Sequence, residues 1–322
     1  MTLKHVMDAM ELLDSAHVSG QTVNDGLQAR GPTLASVERI QGPRGSTDFV
    51  TVTFPGVAGK RAGGTAPTLG IMGRLGSLGG RPEVSGLVSD ADGAIVAVAV
   101  AFKLIAMHAQ GDELQGDVII ATHISPRSPL PPPSAWGIRM MGSPVDGHEI
   151  AQRESQIAAD AILSVDATKA NRVINHCGFA ISPTVKEGYI LRPSDDLMDL
   201  MEQVTGRAPV ILPICTQDIL PTRELRHINS VMLPAARFAV PVVGVALTTE
   251  SLVHGVSTGA NQPFDLEHTT RFCVEAAKAF GAGKCQFYDP AEFETLVRLY
   301  GPLTHLQTAG RVPAAIPHEA SA

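Results

Sequence analysis

Two carboxylates stand one residue apart in Ser89-Asp90-Ala91-Asp92-Gly93, just ahead of the apolar run Ile95 to Met107. A turn that sets both side chains at the carboxyl end of a strand can hold a divalent cation or steer a water molecule. The same pair can also cap the following helix and answer its dipole. Two more apolar runs end in acids, Ala161 to Val165 at Asp166 and Val210 to Ile214 ahead of Asp218. His254 follows the run Val240 to Leu247 through Thr248-Thr249-Glu250-Ser251. In a parallel sheet such ends converge on one edge, so acids remote in sequence can share a site. Carboxylates with one histidine nitrogen suit zinc, manganese or cobalt better than magnesium.

The elements that must position these residues follow from periodicity. Val6, Met7, Met10, Leu12 and Leu13 predict a helix over 3–14, and a second short helix over 22–29 ends at Gly31-Pro32. Strands are predicted over 46–55, 68–72, 118–124, 161–165, 210–214 and 240–247, and helices over 93–108, 147–159, 195–205, 221–238 and 265–280. Strands alternating with helices predict an α/β fold, a mostly parallel, mixed central sheet with helices on both faces. Pro126 to Pro133 holds five prolines in eight residues, which makes an extended, stiff segment. With Trp136 and Met140-Met141 beyond it, residues 126–146 are too apolar for an idle loop and read as a lid or an interface. The expected organisation is an N-terminal helical segment over 1–45, the α/β domain over 46–290 and a C-terminal helix and tail over 291–322.

Composition narrows the function classes. The chain has 322 residues, 44% hydrophobic, with 25 Lys and Arg against 32 Asp and Glu and no basic run, which argues against nucleic acid as a partner. Cys177, Cys215, Cys273 and Cys285 lack metal-ribbon or disulfide spacing. The start of the chain is amphipathic, and no continuous apolar stretch has membrane-span length. The expectation is a cytoplasmic protein with a small-molecule or peptide-like substrate, no nucleic-acid or membrane partner, and a homo-oligomeric, most simply dimeric, state. Cys177 beside His176 is a poor nucleophile pair, because adjacent side chains diverge. The loop 73–86 lacks both dinucleotide and phosphate-loop glycine patterns.

The order of pieces over residues 65–282 resembles the zinc-dependent aminopeptidase and carboxypeptidase superfamily. Asp90 in Ser89-Asp90-Ala91-Asp92-Gly93 resembles its metal-bridging Asp, and Asp166 in Ser164-Val165-Asp166-Ala167-Thr168 its later strand-end ligand. Cys215-Thr216-Gln217-Asp218 resembles its Gly-Thr-Asp turn. His254 with Asp265-Leu266-Glu267 resembles its terminal ligand and closing helix. The chain also resembles a prokaryotic family known as a domain of unknown function. It departs from the peptidase pattern at two places. Gly73-Arg74-Leu75-Gly76 stands where the superfamily has His-x-Asp, and His123-Ile124-Ser125-Pro126-Arg127 stands where it has Glu-Glu.

The resemblance with these departures implies a metal-dependent hydrolase of an amide bond in a small amino-acid-derived or peptide-like substrate, with a reduced site. One zinc or manganese ion would be held by Asp90, Asp92, Asp166 and His254, with His123, His148 or Glu149 as the base. Arg74, Arg127, Thr216 and Asp218 would contact substrate. The alternative is a non-catalytic peptidase-like protein in which Arg74 and Arg127 bind a small acidic ligand, or whose cleft takes a partner protein.

Overall fold

The computed structural model describes residues 1–74, 77–133, 137–220, 225 and 230–307. Leu75, Gly76, Trp136, the side chain of His148, most of 221–229 at the start of the expected helix over 221–238, and the tail from 308 lie outside the described residues.

Among the described residues one mixed sheet runs in the order β1 (Leu34–Gly42), β2 (Gly45–Phe54), β4 (Val118–Ile124), β3 (Leu69–Gly73), β5 (Ala161–Ala167), β9 (Val242–Thr248), β7 (Val185–Lys186) and β8 (Tyr189–Ile190). A further strand, β6 (Gly178–Ile181), also pairs with β9. β4, β3, β5 and β9 are mutually parallel, and the remaining pairings are antiparallel. The parallel strands are almost wholly buried, as continuous apolar, β-branched runs such as Val118-Ile119-Ile120 require when helices cover both faces.

One face carries α1 (Thr2–Leu13), α2 (Gly20–Gln28), α3 (Asp92–Ala109) and α7 (Pro263–Gly281). α3 is apolar all round because it packs on α1, α7 and the sheet together. With its preceding turn it is long and apolar enough to cross a membrane, but 83% of that stretch is buried inside the fold, which accounts for its composition. The other face carries α4 (Gly147–Glu154), α6 (Thr216–Ile219) and the 3-10 segment Ser230–Ala236, over a second core that includes Phe49, Met72, Ala121, Ile162, Met232 and Val242. α5 (Asp195–Thr205) packs on α7, and α8 (Pro290–Tyr300) sets Phe293 edge-on to Tyr189.

The sheet and the helices on its two faces form the three-layer α/β sandwich that the alternating pattern predicts. The local differences have physical causes. The expected strand 210–214 is reduced to a single bridge between Ile211 and Ile181, since Pro209 and Pro213 remove backbone donors on either side. The described end of the expected helix 221–238 is a 3-10 turn with Pro234 inside it.

The order of connection reverses between the parallel strands β3 and β5. From β3 the chain crosses through α3 to β4 on one side, and from β5 it goes on to β9 on the other. Such a reversal opens a crevice at the carboxyl ends of the strands. α3 begins directly over it. A Cβ on Gly93 would lie 2.0 Å from the Arg74 carbonyl oxygen and 2.7 Å from that of Val165, so only glycine lets the helix start so close. Gly93→Ala is therefore expected to destabilise the fold by about 1–3 kcal/mol or more through overpacking against fixed backbone. Gly147→Ala, with nothing within 4 Å, should leave the denaturant midpoint nearly unchanged. Equal midpoints for the two variants in urea melts would show that the crevice tolerates a methyl group.

Candidate functional site

The crevice is built from the ends of β3 and β5 and the entrance of α3. Arg74 follows β3, and its backbone N–H donates to the Val165 carbonyl at 2.8 Å. Its guanidinium pairs with Glu154 at the end of α4 at 2.5 Å, both side chains being nearly buried. Asp166 sits near the end of β5, and Ser230 Oγ donates to its Oδ2 at 2.7 Å. Burial pushes the Asp166 carboxyl up to about 7. The charge of Asp90 adds to the rise, while the Ser230 hydroxyl and the Arg74 guanidinium act against it.

Asp90 lies on a 3-10 turn, Ser89–Ala91, and makes no cap for α3. Its Oδ2 accepts the backbone N–H of Met141 at 2.9 Å, and its own N–H donates to the Gly255 carbonyl at 3.1 Å. Gly255 is closed against the carboxylate, since a Cβ there would stand 2.4 Å from both oxygens. Burial pushes Asp90 up to about 6, offset in part by the Met141 amide and the Lys169 charge and reinforced by Asp92. Asp92, the first residue of α3, is fully buried and forms an ion pair with Lys169. Asn261 Nδ2 donates to Asp92 Oδ1 at 2.7 Å.

The other residues marked out by sequence take different places. His254 is half-buried next to Gly255, and its Nδ1 accepts the Arg139 N–H at 3.1 Å. The segment that carries Arg139 and Met141 thus runs across the crevice by backbone donors. His123 is buried in β4 with Nδ1 3.1 Å from Thr47 Oγ1. Glu149 is exposed on α4, and Arg127 is exposed on a bridge to Gly80. Asp218 is buried, its Oδ2 accepting the Cys215 N–H at 2.9 Å, while Thr216 beside it is exposed. α6, which they share, packs on the 3-10 segment that carries Ser230. Asp90, Asp92 and Asp166 come together electrostatically, whereas Thr216, Glu149 and Arg127 point to solvent. Cys177 lies 4.0 Å from Asp265 Oδ1, and that negative charge raises the thiol, which disfavours a nucleophilic thiolate. Lys169, Glu154, Ser230 and Asn261 escaped the sequence reading. Lys169, three residues beyond Asp166, was the one legible signal. A cleft of about 390 Å³ lies at the far end of α3, lined by apolar groups such as Phe54, Leu104 and Leu114, away from these acids.

The expected zinc or manganese ion does not fit these residues. Among the described residues no group of three or more His, Cys, Asp or Glu side chains is disposed to hold a metal ion. The physical reason is that the expected ligands have other partners. Asp92 is matched to an ammonium, Asp90 and Asp166 accept hydrogen bonds from Met141 and Ser230, and the His254 ring nitrogen accepts one from Arg139. A ligand shell needs lone pairs directed at one point, and these are directed elsewhere.

Solved structures share the fold. The bottromycin maturation enzyme BotP matches with a TM-score of 0.54 at 15% identity, over 88% of this chain and 70% of BotP. The leucine aminopeptidase LAP1 of Caenorhabditis elegans matches with a TM-score of 0.52 at 11% identity, over 89% of this chain and 66% of that enzyme. The likeness is one of fold alone. No curated protein matches by sequence. The family signature described as "Protein of unknown function (DUF1177)" covers residues 38–310, and the chain belongs to that family.

Proposed function

We propose that the crevice between β3 and β5 is the seat of a metal-free hydrolase that cleaves an amide bond in a small amino-acid-derived or peptide-like substrate, with Asp90 and Asp166 as its acid–base pair. The observation that carries this reading is that burial in one crevice raises two carboxyls toward neutrality. Asp90 is raised to about 6 and Asp166 to about 7, so near neutrality the pair can both take up and give a proton. An ionised carboxylate can take a proton from water as the water attacks the amide carbonyl. A protonated carboxyl beside it can give one to the carbonyl oxygen or the leaving nitrogen. The groups facing Asp90 are Asp92, Lys169 and the Met141 amide, and those facing Asp166 are Arg74, Ser230 and Asp90. The segment 137–146 would act as the lid that keeps bulk water out.

A second reading, a non-catalytic peptidase-like protein that binds a ligand or partner, draws support from a different observation. Arg74 is already paired with Glu154, and Asp90 is closed in by Met141 and Gly255. An acidic ligand would have to displace Glu154 from Arg74. A neutral or basic one meets no such cost.

A panel of dipeptides and N-acyl amino acids separates the two. Turnover is expected to rise and fall with pH, with limbs near 6 and 7, and to drop by about 100-fold or more in Asp166→Asn and in Asp90→Asn. Binding without turnover in the wild type supports the second reading.

The same burial gives Asp166 an opposite effect on stability. Its carboxyl rises from the ordinary carboxylate range in the unfolded chain to about 7 in the folded one. The folded protein then holds the proton more tightly, so stability falls as pH rises from about 4 to about 7 and is flat above that. Asp166→Asn is expected to melt higher than wild type at pH 8, with the gain fading toward pH 4. A lower melting temperature at pH 8 would mean that the ionised carboxylate is stabilising.

A further inference from the structure

Lys169 lies two residues beyond the end of β5, and its side chain is 3% exposed. Nζ pairs with the fully buried Asp92 and donates to the Ala260 carbonyl at 2.7 Å. Asn261 completes the arrangement, donating to Asp92 Oδ1 at 2.7 Å and to the Val88 carbonyl at 2.9 Å. The Lys169 carbonyl accepts the N–H of Val253 at 3.1 Å, which ties the loop bearing His254 to the same point. The ammonium also acts on two further acids. It lowers Asp90 on the turn before α3 and Asp265 in the first turn of α7, against the rise that burial imposes on both. Asp92 thus pairs directly with a covalently attached cation whose charge also reaches Asp90 and Asp265.

Buried charges persist only where they are paired and hydrogen-bonded. A fully buried carboxylate such as Asp92 needs a positive charge beside it, which a bound ion or a protein cation can supply. We propose that the Lys169 ammonium is a built-in cation that does the electrostatic work of a metal ion in this crevice, joining the end of β5 to the entrances of α3 and α7. The inference does not depend on hydrolysis, since its test reads metal content and folding.

The test uses full-length wild type, Lys169→Ala, Lys169→Met, Asp92→Asn and the double variant Lys169→Met/Asp92→Asn, with Mn2+ alone as the probe. Wild type, freed of metal by chelator and titrated, is expected to stay substoichiometric. Lys169→Ala should gain at least about tenfold in Mn2+ affinity, because removing the ammonium frees the carboxylate charge that sets such affinities. If Lys169→Ala is unfolded alone, Mn2+ should restore its folding transition. Lys169→Met should melt well below wild type and the double variant above Lys169→Met, since the second change removes the stranded carboxylate. Equal Mn2+ affinity in wild type and Lys169→Ala, failure of Mn2+ to restore an unfolded Lys169→Ala, or simple additivity of the two substitutions in denaturant melts would each overturn the proposal.

Discussion

The structure turns on the close approach of the first turn of α3 to the ends of β3 and β5. Gly93 lies against the backbone of Arg74 and Val165, and a Cβ on Gly73 in turn would meet the Gly93 carbonyl at 2.2 Å. Two glycines facing each other let a helix entrance drop into the point where the order of connection reverses. Everything placed on that entrance is carried in with it. Asp90 then lies buried within electrostatic reach of both Asp92 and Asp166, and the fold must supply positive charge or hydrogen-bond donors to three carboxyls in a medium of low dielectric.

It does so in two ways. Asp92 and Glu154 receive formal cations, Lys169 and Arg74, and both pairs are nearly or wholly removed from solvent. Asp90 and Asp166 receive a backbone amide and a hydroxyl, and charges that act from further away. A full ion pair fixes a carboxylate in its charged form, whereas a single neutral donor offsets only part of the desolvation. The paired acids therefore brace the crevice, and the acids held by neutral donors are the ones that burial raises toward neutrality. The same residue type takes opposite roles according to its partner.

Much of this frame was legible along the chain. β4 and α5 have the bounds that their apolar runs and flanking turn residues predict, because long periodic segments depend on local pattern. Asp166 was legible as well, since position at the end of an apolar run can be read directly. The partners in the crevice were not. Lys169, Glu154, Ser230 and Asn261 are ordinary polar residues until the chain brings them from four separate segments to Asp92, Arg74 and Asp166. A ligand list inferred from acids and a histidine alone leaves out the cations, and here Lys169 decides what Asp92 does. β1 escaped notice for another reason. It is an edge strand whose residues are mostly exposed or half-buried, so its alternation carries little apolar signal.

The segment over the crevice links access to protonation. Met141 and Arg139 reach Asp90 and His254 through backbone N–H groups, so the contact depends on the path of the chain and not on those two side chains. The proline run before them limits that path by restricting the backbone. Covering Asp90 has two opposed effects: burial raises its carboxyl, and the Met141 amide lowers it, with burial the larger. Uncovering removes both and returns the group toward the ordinary carboxylate range. By linkage, a conformation that binds a proton more tightly is favoured by protons, so the covered state gains stability as pH falls through about 6. Stiffness in the segment and burial of the acid beneath it thus act on one equilibrium, and a carboxyl that water could reach freely would lose the shift that lets it exchange protons near neutrality.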